Sequence, residues 1–97
     1  MVKLALFVRL TAQAGKEQAL AEFLVRALPL AREERETIHW FAARINEHEF
    51  GIFDTFEHEH GRQAHIDGAI ALALRAQAKE LLSRAPSVER LDLIATK

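Results

Sequence analysis

Histidine is the side chain in this sequence best suited to acid–base chemistry, because an unperturbed imidazole changes charge close to neutral pH. His65 is the most informative of the five histidines, since it precedes a predicted bend at Asp67-Gly68 and flanks the apolar stripe of a predicted helix. Two interpretations stay open. His65 faces a cleft between helix and sheet as a base with a near-neutral pKa, or it is a half-exposed histidine on a helix.

The remaining histidines do not form an obvious metal site. His58-Glu59-His60 is a compact polar cluster at a strand-to-helix junction, and His48 lies in a predicted hairpin loop. Imidazole is a common metal ligand, but the spacing fixes no third ligand. We interpret these histidines as parts of solvated loops and expect no bound metal.

Asp54 is the one charged residue in the run Phe50-Gly51-Ile52-Phe53-Asp54-Thr55-Phe56. A carboxylate in such a run needs a partner. We expect Arg9 or Arg44, on other strands, to form a structural ion pair with it.

Trp40 is interpreted as a core or interface residue, with the wall of an aromatic ligand pocket as the alternative.

Sequence motifs for bound organic cofactors are absent. Gly15-Lys16 lacks the upstream glycine of a Walker loop, and Glu17 stands where Ser or Thr would bind magnesium. The glycine-rich dinucleotide fingerprint, the nucleophile elbow and the zinc-protease motif are also missing. Cysteine is absent, which excludes disulfides, thiolate metal sites and a cysteine nucleophile. An enzyme with this sequence is expected to work without a cofactor.

The composition is that of one soluble globular domain spanning residues 1–97. Hydrophobic residues make up 49% and charged residues 28% of the chain, and 13 basic against 14 acidic side chains give a net charge of −1. Nucleic acid is not an expected partner, because proteins that bind phosphates are usually basic. No apolar run reaches the roughly 20 residues of a membrane span, so we expect a cytoplasmic protein.

Alternating apolar residues predict strands over residues 2–10, 37–45, 50–56 and 88–95. A stripe at helical spacing predicts a first helix; the stripe is Leu20, Phe23, Leu24, Ala27 and Leu28. Pro29 should end this helix because proline removes a backbone hydrogen bond, and residues 30–34 should form a short second turn of helix. A second helical region over residues 59–83 should bend at Asp67-Gly68.

The order β-α-β-β-α-β predicts an α+β, ferredoxin-like fold, in which a four-stranded antiparallel sheet carries the helices on one face. The other face also carries apolar residues on most strands. Because an uncovered apolar face needs a partner, we expect a homodimer in which two sheets pack together.

Three segments together resemble the antibiotic biosynthesis monooxygenase family: Thr37-Ile38-His39-Trp40-Phe41-Ala42-Ala43-Arg44-Ile45, Phe50-Gly51-Ile52-Phe53-Asp54-Thr55-Phe56 and Gly61-Arg62-Gln63-Ala64-His65-Ile66-Asp67-Gly68. The resemblance extends over nearly the whole chain. It implies a dimeric α+β barrel with a pocket in each subunit between the sheet and the helices. His65 matches the recurrent helix histidine of this family.

The resemblance further implies a cofactor-independent monooxygenase that oxidises a quinol or another hydroxylated aromatic. His65 is then the candidate catalytic base, Trp40, Phe53 and Phe56 are candidate pocket walls, and Arg9 or Arg44 would stabilise the substrate anion. The strand pattern leaves open which of these side chains face the pocket.

Two alternatives accompany this hypothesis. One is a non-catalytic dimer that binds a small apolar ligand or acts in a stress response. The other is haem binding or degradation, which fits less well. The first strand lacks the asparagine of haem-degrading members, and Phe53 and Phe56 occupy the third strand where those members have a tryptophan.

Overall fold

The chain forms four strands and three helices in the computed structural model, which describes residues 1–97. They are β1 (Leu4–Thr11), α1 (Glu17–Glu33), β2 (Thr37–Arg44), β3 (Glu49–Phe56), α2 (Glu59–Ile66), α3 (Ala69–Leu81) and β4 (Ser87–Asp92). The strands form one antiparallel sheet in the order β2-β3-β1-β4. This is the predicted ferredoxin-like α+β fold, with the second helical region divided into α2 and α3.

Side-chain alternation in the two central strands determines which sheet face carries the core. The even-numbered residues of β1 and β3 point toward the helices, as the sequence pattern predicts. They pack with apolar residues of α1 and α3 in a core that includes Leu6, Val8, Leu10, Leu20, Phe23, Leu24, Phe50, Ile52, Phe56, Leu74 and Leu81. Because period-two alternation fixes the direction of every side chain, the same rule places Asp54 on the helix side.

The predicted end of the first helix at Pro29 is wrong, because α1 continues without interruption to Glu33. Proline at this position deprives the carbonyl of Val25 of its helical donor. Val25 is 72% exposed and Pro29 is also exposed, so water can solvate the orphaned carbonyl. Burial of Ala31 in the turn beyond Pro29 continues the apolar stripe and holds the helix to the sheet.

The predicted bend between the last two helices is confirmed at Asp67-Gly68. The backbone N–H of Gly68 donates to the carbonyl of His65 over 3.1 Å, which closes α2 before α3 begins. A Cβ atom on Gly68 would lie 3.0 Å from the carbonyl oxygen of Ala64, so the absent side chain permits this tight turn. The bend leaves His65 in the last turn of α2, where its side chain meets the sheet.

The face of the sheet that lies away from the helices carries a row of aromatic residues. Phe7, Phe53 and Phe41 are register partners across β1, β3 and β2. Phe41 is 57% exposed, and no element of the chain covers the row. Gly51 accommodates the Phe7 ring, since a Cβ atom there would lie 2.9 Å from Phe7 Cε1.

None of the three helices has both the length and the apolar character needed to cross a membrane.

Candidate functional site

His65 lies between two carboxylates, one from the sheet and one from the end of α1. Its Nε2 is 2.7 Å from Oδ2 of Asp54, and its Nδ1 is 2.6 Å from Oε1 of Glu34. The Asp54 side chain is completely buried and the His65 side chain is 8% exposed, whereas Glu34 is 21% exposed. The three side chains therefore form an acid–base cluster that extends from the core toward solvent.

Each member of this cluster is held by its own local structure. Asp54 occupies a core-facing position of β3, and the ring of Phe56, two residues later, packs against the His65 ring at 5.6 Å between centroids. Glu34 follows the last residue of α1, and the hydroxyl of Thr37 donates to its Oε1 over 2.7 Å. The imidazole is thus fixed by packing as well as by charge.

The ionisation of the cluster departs from the behaviour of isolated side chains. Burial alone would lower the pKa of His65, but its contacts with Asp54 and Glu34 outweigh this effect and raise the pKa to about 9. Burial raises the pKa of Asp54 above its ordinary value, and the contact with His65 opposes that rise. Neither Asp54 oxygen makes a well-aligned hydrogen bond, so the contact with His65 is best described as an ion pair. The near-neutral pKa expected from the sequence is therefore corrected upward.

His65 also lines an apolar cavity of about 250 Å³ between the sheet and α2 and α3. Nine of its twelve lining residues are hydrophobic, and the complete set is Leu6, Val8, Ile52, His65, Ile66, Ile70, Ala71, Leu74, Arg75, Ala78, Pro86 and Val88. The position between helices and sheet is the one that the resemblance implied for a ligand pocket.

A second, polar cleft of about 310 Å³ borders His65 where Glu34 and Thr37 lie. Its walls also include Gly61 and Gly68 and the charged residues at the end of α1. His65 is therefore shared between an apolar cavity and a polar cleft. Such a placement suits a group that exchanges protons between a sequestered ligand and water.

Trp40 and Arg44 line a separate groove of about 440 Å³ between α1 and β2, and neither lines the cavity of His65, although Trp40 is the register partner of Asp54. Trp40 packs partly into the core, and its indole Nε1 has no hydrogen-bond partner. The guanidinium of Arg44 stacks over the ring of Phe50, 4.5 Å from the ring centre. The structure therefore does not bring these two predicted pocket residues to the cavity of His65.

Of the other predicted pocket residues, only Phe56 contacts His65. Phe53 and Arg9 point to the opposite face of the sheet, because they occupy odd-numbered positions of β3 and β1. Arg9 Nη1 lies 3.5 Å from Oε1 of Glu49. The predicted ion pair of Asp54 with Arg9 or Arg44 is wrong, since Asp54 points toward the helices and is paired with His65 instead.

The histidines outside the cluster are exposed. The rings of His58 and His60 stack 5.4 Å apart, and Nδ1 of His48 lies 2.9 Å from Oε2 of Glu17. No group of three or more His, Cys, Asp or Glu side chains is arranged to hold a metal ion.

Two residues of the site were not predicted from the sequence. Glu34 lies 31 residues from His65 in a run of charged residues, and nothing local distinguishes it from Glu33 or Glu36. Arg75 lies on the exposed side of α3, where a solvated arginine is ordinary. Glu34 is recruited by the packing of α2 against the end of α1, and Arg75 by the bend that folds α3 back toward α2.

Comparison with solved structures establishes the relationships of the chain. Protein NE2512 from Nitrosomonas europaea, a protein of unknown function, is 55% identical and superposes with a TM-score of 0.98, covering 100% of this chain and 94% of that one. The chain belongs to the same family as NE2512. No protein-family model and no curated protein matches it.

More distant members of the fold carry the name that the sequence resemblance suggested. A putative antibiotic biosynthesis monooxygenase from Nitrosomonas europaea is 12% identical, with a TM-score of 0.83 over 94% of this chain and 89% of that one. Rv0793 from Mycobacterium tuberculosis, which does not carry that name, has the same fold and is 21% identical, with a TM-score of 0.83 over 96% of both chains. The family thus has the fold of the antibiotic biosynthesis monooxygenases.

Proposed function

We propose that this protein is a cofactor-independent monooxygenase that oxidises a small quinol or related hydroxylated aromatic with molecular oxygen. The observation that carries the proposal is the position of His65, which is held between two carboxylates in the wall of an apolar cavity. The fold shared with proteins named as monooxygenases supports the same class of reaction.

The reaction needs no external reductant, because the quinol supplies all the electrons. Two electrons leave when the quinol becomes a quinone, and two more leave when a ring C–H bond is replaced by C–OH. One oxygen atom enters the ring, and the other is released as water with two protons. The products are a hydroxyquinone and water, so atoms and electrons balance.

The protein has two tasks in this reaction, removing a proton from the quinol and keeping water from the reactive anion. A histidine whose conjugate acid has a pKa of about 9 is a stronger base than an ordinary imidazole and is closer to a phenol, whose pKa is about 10. One ring nitrogen must be released from its carboxylate. Glu34 is the partner that can leave, because it reaches the polar cleft whereas Asp54 is fully buried, and its departure removes part of the rise in the pKa of His65.

This assignment predicts an unusual pH dependence. At pH 7 about 1% of the protein carries a neutral His65 if its pKa is about 9. Oxygen uptake should therefore rise about tenfold per pH unit from pH 7 and level off near pH 9, rather than near the ordinary histidine value.

Cavity size supports a ligand of one or two aromatic rings. The volume of about 250 Å³ lies below the range of roughly 300–1,000 Å³ that holds drug-sized ligands. A haem macrocycle is much larger, so the volume favours a small quinol over haem.

We also propose that the functional unit is a homodimer. The aromatic row of Phe7, Phe53 and Phe41 on the uncovered sheet face supports pairing with a second copy. A specific interface of this kind would bury more than about 1,000 Å² in total.

The test is oxygen uptake by the purified protein with a panel of hydroquinones, at pH values from 6 to 10. His65→Ala should lower turnover by about 10²–10⁴-fold while folding and dimerisation persist. His48→Ala is the matched control, because it also removes a histidine paired with a glutamate, at an exposed position outside the cavity. Unchanged turnover in folded His65→Ala protein would end the case for His65 as the base.

A non-catalytic small-ligand-binding protein is the second candidate, and one observation favours it. Both ring nitrogens of His65 already contact carboxylates, as expected for a purely structural imidazole. In that case aromatic ligands would bind without oxygen uptake, and truncation of His65 would reduce stability only.

A further inference from the structure

Two residues, His65 and Arg75, contribute the only charged side chains that line the apolar cavity, and both are basic. His65 is buried in the cavity wall, whereas Arg75 is exposed at the rim. No carboxylate of the chain lines the cavity, since Asp54 and Glu34 lie behind the imidazole. A ligand that fills this space therefore meets apolar walls and an unopposed cation at the entrance.

Arg75 has no ion-pair partner within the protein. Its guanidinium donates one hydrogen bond, from Nη2 to the carbonyl oxygen of Ile66 over 3.3 Å, and it forms no salt bridge. By contrast, Arg62 binds both carboxylate oxygens of Glu59 and two backbone carbonyls. Arg75 thus keeps most of its five N–H donors available for a ligand.

The contact with Ile66 also fixes where this free cation lies. Ile66 directly follows His65, so the bond holds the guanidinium beside the part of the wall that contains the imidazole. A single aromatic ring with a hydroxyl at one end and an anionic group at the other could engage both residues. Arginine suits this task because its planar N–H fork matches a carboxylate.

We propose that the cavity binds a hydroxylated aromatic that also bears a carboxylate, with Arg75 pairing the carboxylate at the rim and the ring hydroxyl directed to His65. The inference rests on the proposed function in taking this cavity as the substrate site, and it deepens that function by naming the substrate class. Arg75 is then the residue that determines specificity, while the apolar walls accept the ring.

The test compares binding of 4-hydroxybenzoate and 4-hydroxybenzamide by calorimetry at pH 7 and low salt. These probes have nearly the same shape, but only the first carries a charge. The unmodified protein should bind the benzoate about five- to tenfold more tightly, and added salt should reduce the difference. Arg75→Gln should abolish this preference, so that the two probes bind the variant with equal affinity.

Lys79→Gln is the matched control, because it removes one positive charge from the next turn of α3 at a position that does not line the cavity. It should keep the preference for the benzoate, and Arg75→Lys should keep part of it. Equal affinity for the two probes, no binding of either probe, or a preference that survives in Arg75→Gln would overturn the inference.

The two proposals fail in distinguishable ways. The protein could prefer the benzoate in a way that depends on Arg75 and yet take up no oxygen with any quinol. That result would support the proposed class of ligand and refute the proposed monooxygenase activity. Oxygen uptake that depends on His65, without the preference, would refute the role of Arg75 alone.

Discussion

Ionisation of His65 should make the stability of the folded protein depend strongly on pH. The folded state holds a proton on His65 with a pKa of about 9, whereas the unfolded chain releases it near the ordinary value of 6.5. Because the folded state binds that proton more tightly, its contribution to stability is fully present below about pH 6.5 and is lost as pH rises through about 9.

The size of the effect follows from the same two values. One pKa unit corresponds to 1.36 kcal/mol, so an increase from 6.5 to about 9 represents about 3 kcal/mol of stability. The raised pKa of Asp54 acts in the same direction, because a folded state that favours the protonated carboxyl also loses stability as pH rises. The free energy of unfolding should therefore fall by about 3 kcal/mol between pH 6 and pH 10.

Urea unfolding followed by far-UV circular dichroism, at one fixed protein concentration, measures this fall. His65→Gln removes the titrating group while keeping a polar side chain, so its unfolding free energy should vary much less over the same range. The control is His48→Gln, because His48 also contacts a carboxylate but its side chain is 57% exposed. An exposed pair contributes little to stability, so this variant should follow the unmodified protein.

Parallel pH curves for the unmodified protein and His65→Gln would refute the reasoning. That result would mean that the two carboxylates do not hold the proton on His65. There would then be no reason to expect oxygen uptake to level off near pH 9. A Glu34→Gln variant gives an independent check, because loss of one carboxylate should reduce the fall without abolishing it.

Three further predictions concern the fold and its assembly. Phe23→Ala should lower the unfolding free energy by about 3–5 kcal/mol, because Phe23 is buried in the core; a loss below about 1 kcal/mol would contradict that packing. Pro29→Ala should raise it by about 2 kcal/mol in urea melts, since it restores a donor to the Val25 carbonyl, and a lower value would contradict our account of α1. Sedimentation at micromolar concentration should show a dimer that Phe41→Glu converts to a monomer, whereas a monomeric unmodified protein would refute the homodimer.

The elements of this fold were predictable because their residues follow simple periodicities. The alternation of Leu6, Val8 and Leu10 identified the buried face of β1, and the spacing of Leu20 and Phe23 identified the buried face of α1. The end of α1 was mispredicted because the cost of a proline inside a helix is balanced here by burial of Ala31 and by solvent at Val25, which only packing reveals.

The candidate site was predictable only in part. The glycine bend drew attention to His65, and the alternation of β3 already grouped Asp54 with core residues such as Ile52 and Phe56. The pairing of Asp54 with His65 depends on how α2 packs on the sheet. The residues around either side chain do not reveal that packing. Glu34 carried no signal, because its contact with His65 joins two segments that are separate along the chain.

The most direct test of the proposed activity is oxygenation of a hydroquinone under isotopically labelled oxygen, ¹⁸O₂, followed by mass spectrometry of the product. Our proposal predicts a hydroxyquinone with one labelled atom in the new hydroxyl group, formed by protein that contains no added cofactor and greatly reduced in His65→Ala. Formation of only the unlabelled quinone, at the same rate with and without the protein, would contradict it.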